Sequence, residues 1–139
     1  MELYEIRKKE KLYALVFNHC IKSNGVRFLT PTHYSLQLGL IEHPKGKQVR
    51  KHLHNPELKH EITSIQEFIY IEYGKVKVKI YEENWTLVDE VVLSKGDFIL
   101  HVYGGHGFEV LENCRMIEIK QGPFPGDLLA KLFDPRDNA

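Results

Sequence analysis

His52 and His54 form a His-x-His pair. On an extended segment two such imidazoles project from one face, because strand side chains repeat every two residues. A carboxylate from one neighbouring strand and a third imidazole from another would complete a three-His, one-Glu metal site. The chain supplies candidates for both: Glu67, separated from Gly74 by six residues, and His106, which follows Gly104-Gly105. Imidazole is the commonest side-chain ligand for transition metals and needs no deprotonation step near pH 7. The carboxylate has two readings. In a regular strand over 65–73, Glu67 shares a face with Ile69 and Ile71, where a lone buried carboxylate is costly unless paired or metal-bound. The face of Phe68 and Tyr70 is equally apolar, and an inward turn of that face makes Gln66 the alternative. His106 has the parity of Phe108 and Val110, while His101 competes for the third imidazole from the near side of the glycine turn.

The elements that must position these groups read as strands. In Gly74-Lys75-Val76-Lys77-Val78-Lys79-Ile80 the apolar residues occupy one face and three lysines the other, a half-buried strand with a solvated outer side. Tyr34, Leu36, Leu38 and Leu40 alternate in the same way, and 65–73 is apolar on both faces. Further strands are expected over 12–17, 26–29, 47–54, 86–93, 97–103, 107–111 and 114–120. Turn signals separate them, among them Asn24-Gly25, Pro44-Lys45-Gly46, Glu82-Glu83-Asn84 and Lys95-Gly96-Asp97. Only Gly126 to Phe133 could hold a helical turn, with Leu128, Leu129 and Leu132 on one side. Many short strands at close spacing indicate an all-β sandwich or barrel.

The motif Gly46, His52, His54, Glu67, Gly74 resembles the first motif of the cupin superfamily of small β-barrels. Gly96-Asp97 through Gly104-Gly105-His106-Gly107-Phe108 resembles the second. Twelve residues, Asn55 to Gln66, stand between the second histidine and the glutamate, where the family leaves only a few. Val102 replaces the second motif's proline, and its turn is one residue shorter. The combination is similar to a bacterial cupin subgroup often encoded among surface-polysaccharide and nucleotide-sugar genes. The resemblance implies a double-stranded β-helix (jelly-roll) barrel forming one domain over 1–139, with the motif core at about 46–110 and flanking strands in 1–45 and 111–139. It also implies one divalent transition metal (Fe, Mn, Ni or Zn) held by His52, His54, Glu67 and His106. The family places its last histidine after the turn, which favours His106 over His101.

At 139 residues the chain is expected to form one core. Lys+Arg and Asp+Glu are 19 each, so the chain lacks the global charge of a nucleic-acid binder. The first eleven residues carry charges where a signal peptide needs an apolar core, and no apolar run is long enough for a membrane helix. With only Cys20 and Cys114, and no Cys-x-x-Cys, the expectation is a cytoplasmic protein with two free thiols packed in its core. The stretch 45–60 holds Lys45, Lys47, Arg50, Lys51 and Lys59 against one acid, Glu57. That patch is either a solvated loop or a rim that recognises an anionic sugar derivative. In the second case Lys47, Arg50 and Tyr70 are the candidate ligand-binding residues. The expected function is metal binding in a small-molecule pocket acting on a carbohydrate or nucleotide-sugar metabolite. The alternatives are a metal-free keto-sugar isomerase or epimerase and a non-catalytic metabolite-binding cupin. A homodimer is expected, because the uncharged strand 12–17 must be either central or covered by a partner.

Overall fold

The computed structural model describes residues 2–137. It is nearly all β, with eight strands and a four-residue helix: β1 (Leu3–Lys8), β2 (Lys11–Phe17), β3 (Gly25–Phe28), β4 (Gly39–Glu42), β5 (Glu67–Tyr81), β6 (Leu87–Ser94), β7 (Phe98–His101), β8 (Gly105–Lys120) and α1 (Asp127–Ala130). Six strands form one antiparallel sheet in the order β1-β2-β7-β5-β6, with β8 on the other edge of β5, while β3 and β4 pair separately. The large sheet curls strongly into a half-barrel.

The curl originates in β5. The segments 65–73 and 74–80, expected as separate strands, are one strand that bends at Gly74, and β8 bends beside it through register shifts between Ile71 and Val76. The bend also switches the inward parity. Ile69 and Ile71 face inward before it and Val76, Val78 and Ile80 after it, and all five meet in one buried cluster with Ala14, Val16, Leu93 and Ile99. Gly74 has a φ of 92°, and a Cβ there would lie 2.2 Å from the Asn113 carbonyl oxygen. Only glycine accommodates both the backbone angle and that approach.

β6 and β7 lie one after the other along a single edge of β5, joined by Lys95-Gly96-Asp97. Ile71 bridges this turn: its amide donates to the Asp97 carbonyl at 3.0 Å, and its carbonyl accepts from the Gly96 amide at 2.8 Å. Asp97 is buried and structural. Its Oδ1 accepts the His19 amide at 2.8 Å and its Oδ2 the Ser94 amide at 2.9 Å. On the outer face of the sheet a second cluster gathers Leu15, Phe17, Phe98 and Leu100 under Leu29, Tyr34, Leu36 and Leu38.

Strand 12–17 is central, between β1 and β7, so it needs no partner chain. The structure corrects four other expectations. Segment 47–54 forms no strand and is exposed. In the Tyr34–Leu40 segment only the end joins a strand, β4, because the alternating side chains cap the second cluster from a loop. Strands 107–111 and 114–120 are one. Cys114 is half-buried against the core, but Cys20 is exposed, since it lies in the loop after β2. The helical turn expected near the chain's end is present as α1.

Candidate metal centre

Glu67 opens β5 and faces inward, directly opposite His101 at the end of β7. His106 lies near the start of β8 opposite Ile80, thirteen positions further along β5. In a straight strand that separation would be roughly 40 Å. Because the β5–β8 ribbon folds back at Gly74, His106 Nε2 instead lies 3.2 Å from Glu67 Oε1. The sharp turn through Gly104, whose φ is 78°, brings the imidazoles of His101 and His106 into a stack, with centroids 3.9 Å apart and planes 12° from parallel. Phe108 closes one side, its ring 5.6 Å from His106 and 6.0 Å from His101.

The electrostatics of the three groups differ. His101 is 6 % exposed, and its Nε2 is buried without a hydrogen-bond partner. Burial, with the neighbouring His106 adding to it, pushes the His101 imidazole down to about 3, while Glu67 acts in the opposite sense. The ring is therefore neutral, with a lone pair free for a Lewis acid. For Glu67, burial works to raise the carboxyl, but hydrogen bonding from His106 and Glu118 and the nearby imidazoles outweigh it and hold the group well below the usual carboxylate range. Glu118 faces inward opposite Ile69. Its hydrogen bond with Glu67, together with burial, raises its carboxyl, so any proton held by the two acids resides on Glu118.

One ligand atom from each of Glu67, His101 and His106 lies within 4.8 Å of the others. Two donors on the same divalent ion are roughly 3 Å apart when metal–ligand bonds are about 2.1 Å. The Glu67–His106 contact already has that length, and a contraction of an ångström or two would bring in His101. A neutral imidazole, a second imidazole and an ionised carboxylate are the donor set of a two-His, one-carboxylate site, which leaves several coordination positions open. An unpartnered buried imidazole nitrogen beside two further donors is what a metal would relieve.

Of the expected metal ligands, Glu67 and His106 therefore come together. His52 and His54 are not part of this group. Their rings are 5.5 Å apart, tilted, and exposed on segment 43–66, where His52 Nδ1 lies 3.0 Å from the Arg50 carbonyl oxygen. Lys47 and Arg50 are exposed on the same segment, and Tyr70 packs on the opposite face of the sheet from Glu67. Gln66, the alternative carboxylate position, also points to that opposite face. It is buried, with its Oε1 accepting the Leu36 backbone N–H at 3.0 Å and its own backbone N–H donating to Gln121 Oε1 at 2.8 Å.

The sequence carried a signal for His101. Phe98-Ile99-Leu100-His101 is apolar on both faces up to the histidine, so a strand buried on both sides ends in an imidazole. Glu118 gave no such signal, because Ile117 and Ile119 made the other face look like the inner one. A groove of about 840 Å³ lies on the outer side of the sheet, lined by Arg7, Lys11, His33, Tyr34, Gln66 and Tyr103 among others. Among the described residues it holds no buried polar atom left without a partner. No helix among the described residues is long and apolar enough to cross a membrane. Comparison with known proteins finds no matching family model, curated protein or solved structure, so the geometry of Glu67, His101 and His106 carries the functional reading by itself.

Proposed function

We propose that the protein is a metal-binding β-barrel of the cupin type that holds one divalent transition metal at Glu67, His101 and His106 and presents the open positions to a small-molecule ligand. The observation that carries this reading is the buried, unpartnered Nε2 of His101 beside the Glu67–His106 contact. A bound Fe(II), Mn(II), Ni(II) or Zn(II) would supply Lewis-acid or oxygen-binding chemistry. The chain's own contribution is to keep His101 neutral, keep Glu67 ionised, and place beside them Glu118, whose carboxyl is raised by its hydrogen bond with Glu67 and by burial. His52 and His54 are the candidates for further positions of the shell, from segment 43–66. Lys47 and Arg50 on that segment suit an anionic ligand, and sugar phosphates and nucleotide sugars are the first compounds to screen.

Elemental analysis and metal titration of untagged protein test the reading. One ion per chain is expected, with Glu67→Gln/His101→Ala losing it while far-ultraviolet circular dichroism keeps the β signal. Unchanged metal content in that variant would overturn the assignment. The Glu67–His106 contact favours one second reading, a metal-free acid–base pair for proton transfer next to a carbonyl. Solvent deuterium appearing in a keto sugar with chelator-treated protein would select it.

A further inference from the structure

The groove of about 840 Å³ on the outer side of the sheet has no part in the histidine cluster. Its volume falls in the range of small-ligand sites, roughly 300–1,000 Å³. Four separate parts of the chain wall it: the β1–β2 hairpin, the loop between β3 and β4, residues 60–66, and the turn between β7 and β8. Hydrogen bonds already tie these walls together. Ser35 Oγ donates to the Ser64 carbonyl at 3.2 Å, and Gln121 Nε2 donates to Ser35 Oγ at 2.9 Å. Gln37 Nε2 donates to the carbonyls of Pro31 and Tyr34, at 3.0 and 2.9 Å, and so fixes the loop that carries Tyr34. Leu12 and Val102, packed on the outer cluster, give the lining its apolar part.

Gln66 points to what the groove holds. It is only 4 % exposed, and its Oε1 is occupied by the Leu36 N–H, which fixes the plane of the amide. Among the described residues its Nε2 has no acceptor, so a buried, oriented residue of the lining keeps two N–H groups unspent. The hydroxyls of Thr32, Tyr34, Thr63 and Ser64 and the imidazoles of His33 and His60 also lack a hydrogen-bond partner among the described residues. Each hydroxyl and each neutral imidazole can both donate and accept. The charges of the lining do not select an anion. The Arg7 guanidinium is taken by Glu5 and by the Glu10 carbonyl. Lys11, whose Nζ stands 4.0 Å from the Tyr103 ring centroid, is set against both Glu10 and Glu61. Mixed donors and acceptors without net positive charge suit a ligand built of hydroxyls. We infer that the groove is a second ligand site that binds a short neutral oligosaccharide, with Gln66 Nε2 donating to a sugar oxygen and Tyr34, Thr63 and Ser64 exchanging hydrogen bonds with its hydroxyls. The site adjoins the histidine cluster in sequence, through Gln66-Glu67 and His101-Val102, but lies on the opposite face of the sheet. It is independent of whether that cluster binds metal.

The test is titration of the isotope-labelled full-length chain with maltotriose, cellotriose and chitotriose, followed by backbone amide chemical shifts. At least one of them is expected to give saturable shifts at 32–37, 60–66 and 102–103. Tyr34→Phe/Thr63→Val keeps the side-chain shapes and removes two hydroxyls, and it should weaken that binding at least tenfold. Ser64→Trp offers a second variant. Its position is exposed, and the backbone carbonyl keeps its bond from Ser35, so the fold should persist while the indole fills the groove and abolishes the shifts. Chelator-treated and Zn(II)-loaded protein should bind the saccharide equally well. The inference is overturned if none of the three saccharides shifts the groove residues, or if the shifts centre on His101 and His106 instead. Either variant binding as tightly as wild type also overturns it, as does saccharide binding that requires the metal.

Discussion

The folded β5–β8 ribbon and segment 43–66 each carry chemistry-bearing residues, but they hold them in opposite ways. In the ribbon and the β7 strand beside it, Glu67, His106 and His101 sit on paired strands whose inner faces are packed, so each side chain's direction follows from register. In segment 43–66 the imidazoles of His52 and His54 and the cations of Lys47, Arg50 and Lys51 are on exposed chain with no ladder to orient them. The comparison teaches that residue spacing along a chain locates a site only where strand pairing converts spacing into position. A glycine bend places His106 against Glu67 across thirteen strand positions, while two histidines at the spacing of a metal pair stay outside the cluster.

The sharpest way to break this contrast is to insert a methyl group at one glycine in each region. Gly74→Ala adds a left-handed strain and drives Cβ into the Asn113 carbonyl at 2.2 Å. It should cost about 4 kcal/mol or more and abolish cooperative unfolding of the native barrel. Gly46 has a φ of 90° but nothing within 4 Å of the added carbon, so Gly46→Ala should cost about 1 kcal/mol. Denaturant titrations of the two variants measure the difference. Equal losses would mean that segment 43–66 is as tightly packed as the ribbon.

Acid should separate the regions next. Burial holds His101 down to about 3 from an ordinary 6.5, so between those values the unfolded chain binds a proton that the folded chain refuses. Stability of the metal-free protein must then fall as pH falls through that window, by up to about 1.4 kcal/mol per pH unit from this one group. Glu67 adds the same sign lower down. Its carboxyl is depressed in the folded state, so its contribution is present above its unfolded value and is lost as pH falls. His101→Phe should flatten the pH dependence between 6.5 and 4 relative to wild type. A parallel pair of curves would contradict the burial of His101.

The fold class was legible because alternation in 74–80 and the glycine turns both depend on local geometry. The strand over 47–54 was not borne out by the structure, because its alternation of Val49 and Leu53 with polar residues has no neighbouring strand to satisfy. Half of the candidate site was legible as well. Glu67 lies on the inner face with Ile69 and Ile71, one of the two readings its strand allowed, and His106 faces inward as its kinship with Phe108 suggested. His101 stood as the competitor of His106, because no local pattern reveals that a turn three residues later stacks the two imidazoles. Glu118 keeps the inward parity of His106 and Phe108 along β8, but Ile117 and Ile119 make the opposite face of that stretch look like the inner one.

The smallest effect concerns the basic rim. If segment 43–66 recognises an anionic sugar derivative, neutralising Lys47, Arg50 and Lys51 together should weaken that binding by about 1–3 kcal/mol. The loss should shrink as salt screens exposed charge. Calorimetric titration at low and high salt measures it. Unchanged affinity would leave the cations as a solvated loop and confine function to the ribbon.

The most direct test of the central claim is the metal dissociation constant of two variants, His101→Ala from the paired strands and His52→Ala/His54→Ala from the segment, with Zn(II) and Fe(II) under anaerobic conditions. The account predicts a loss of at least a hundredfold for His101→Ala, because a buried donor leaves the cluster, and about tenfold or less for the double variant. The reverse order, with His101→Ala binding as tightly as wild type and the double variant failing to bind, would contradict it.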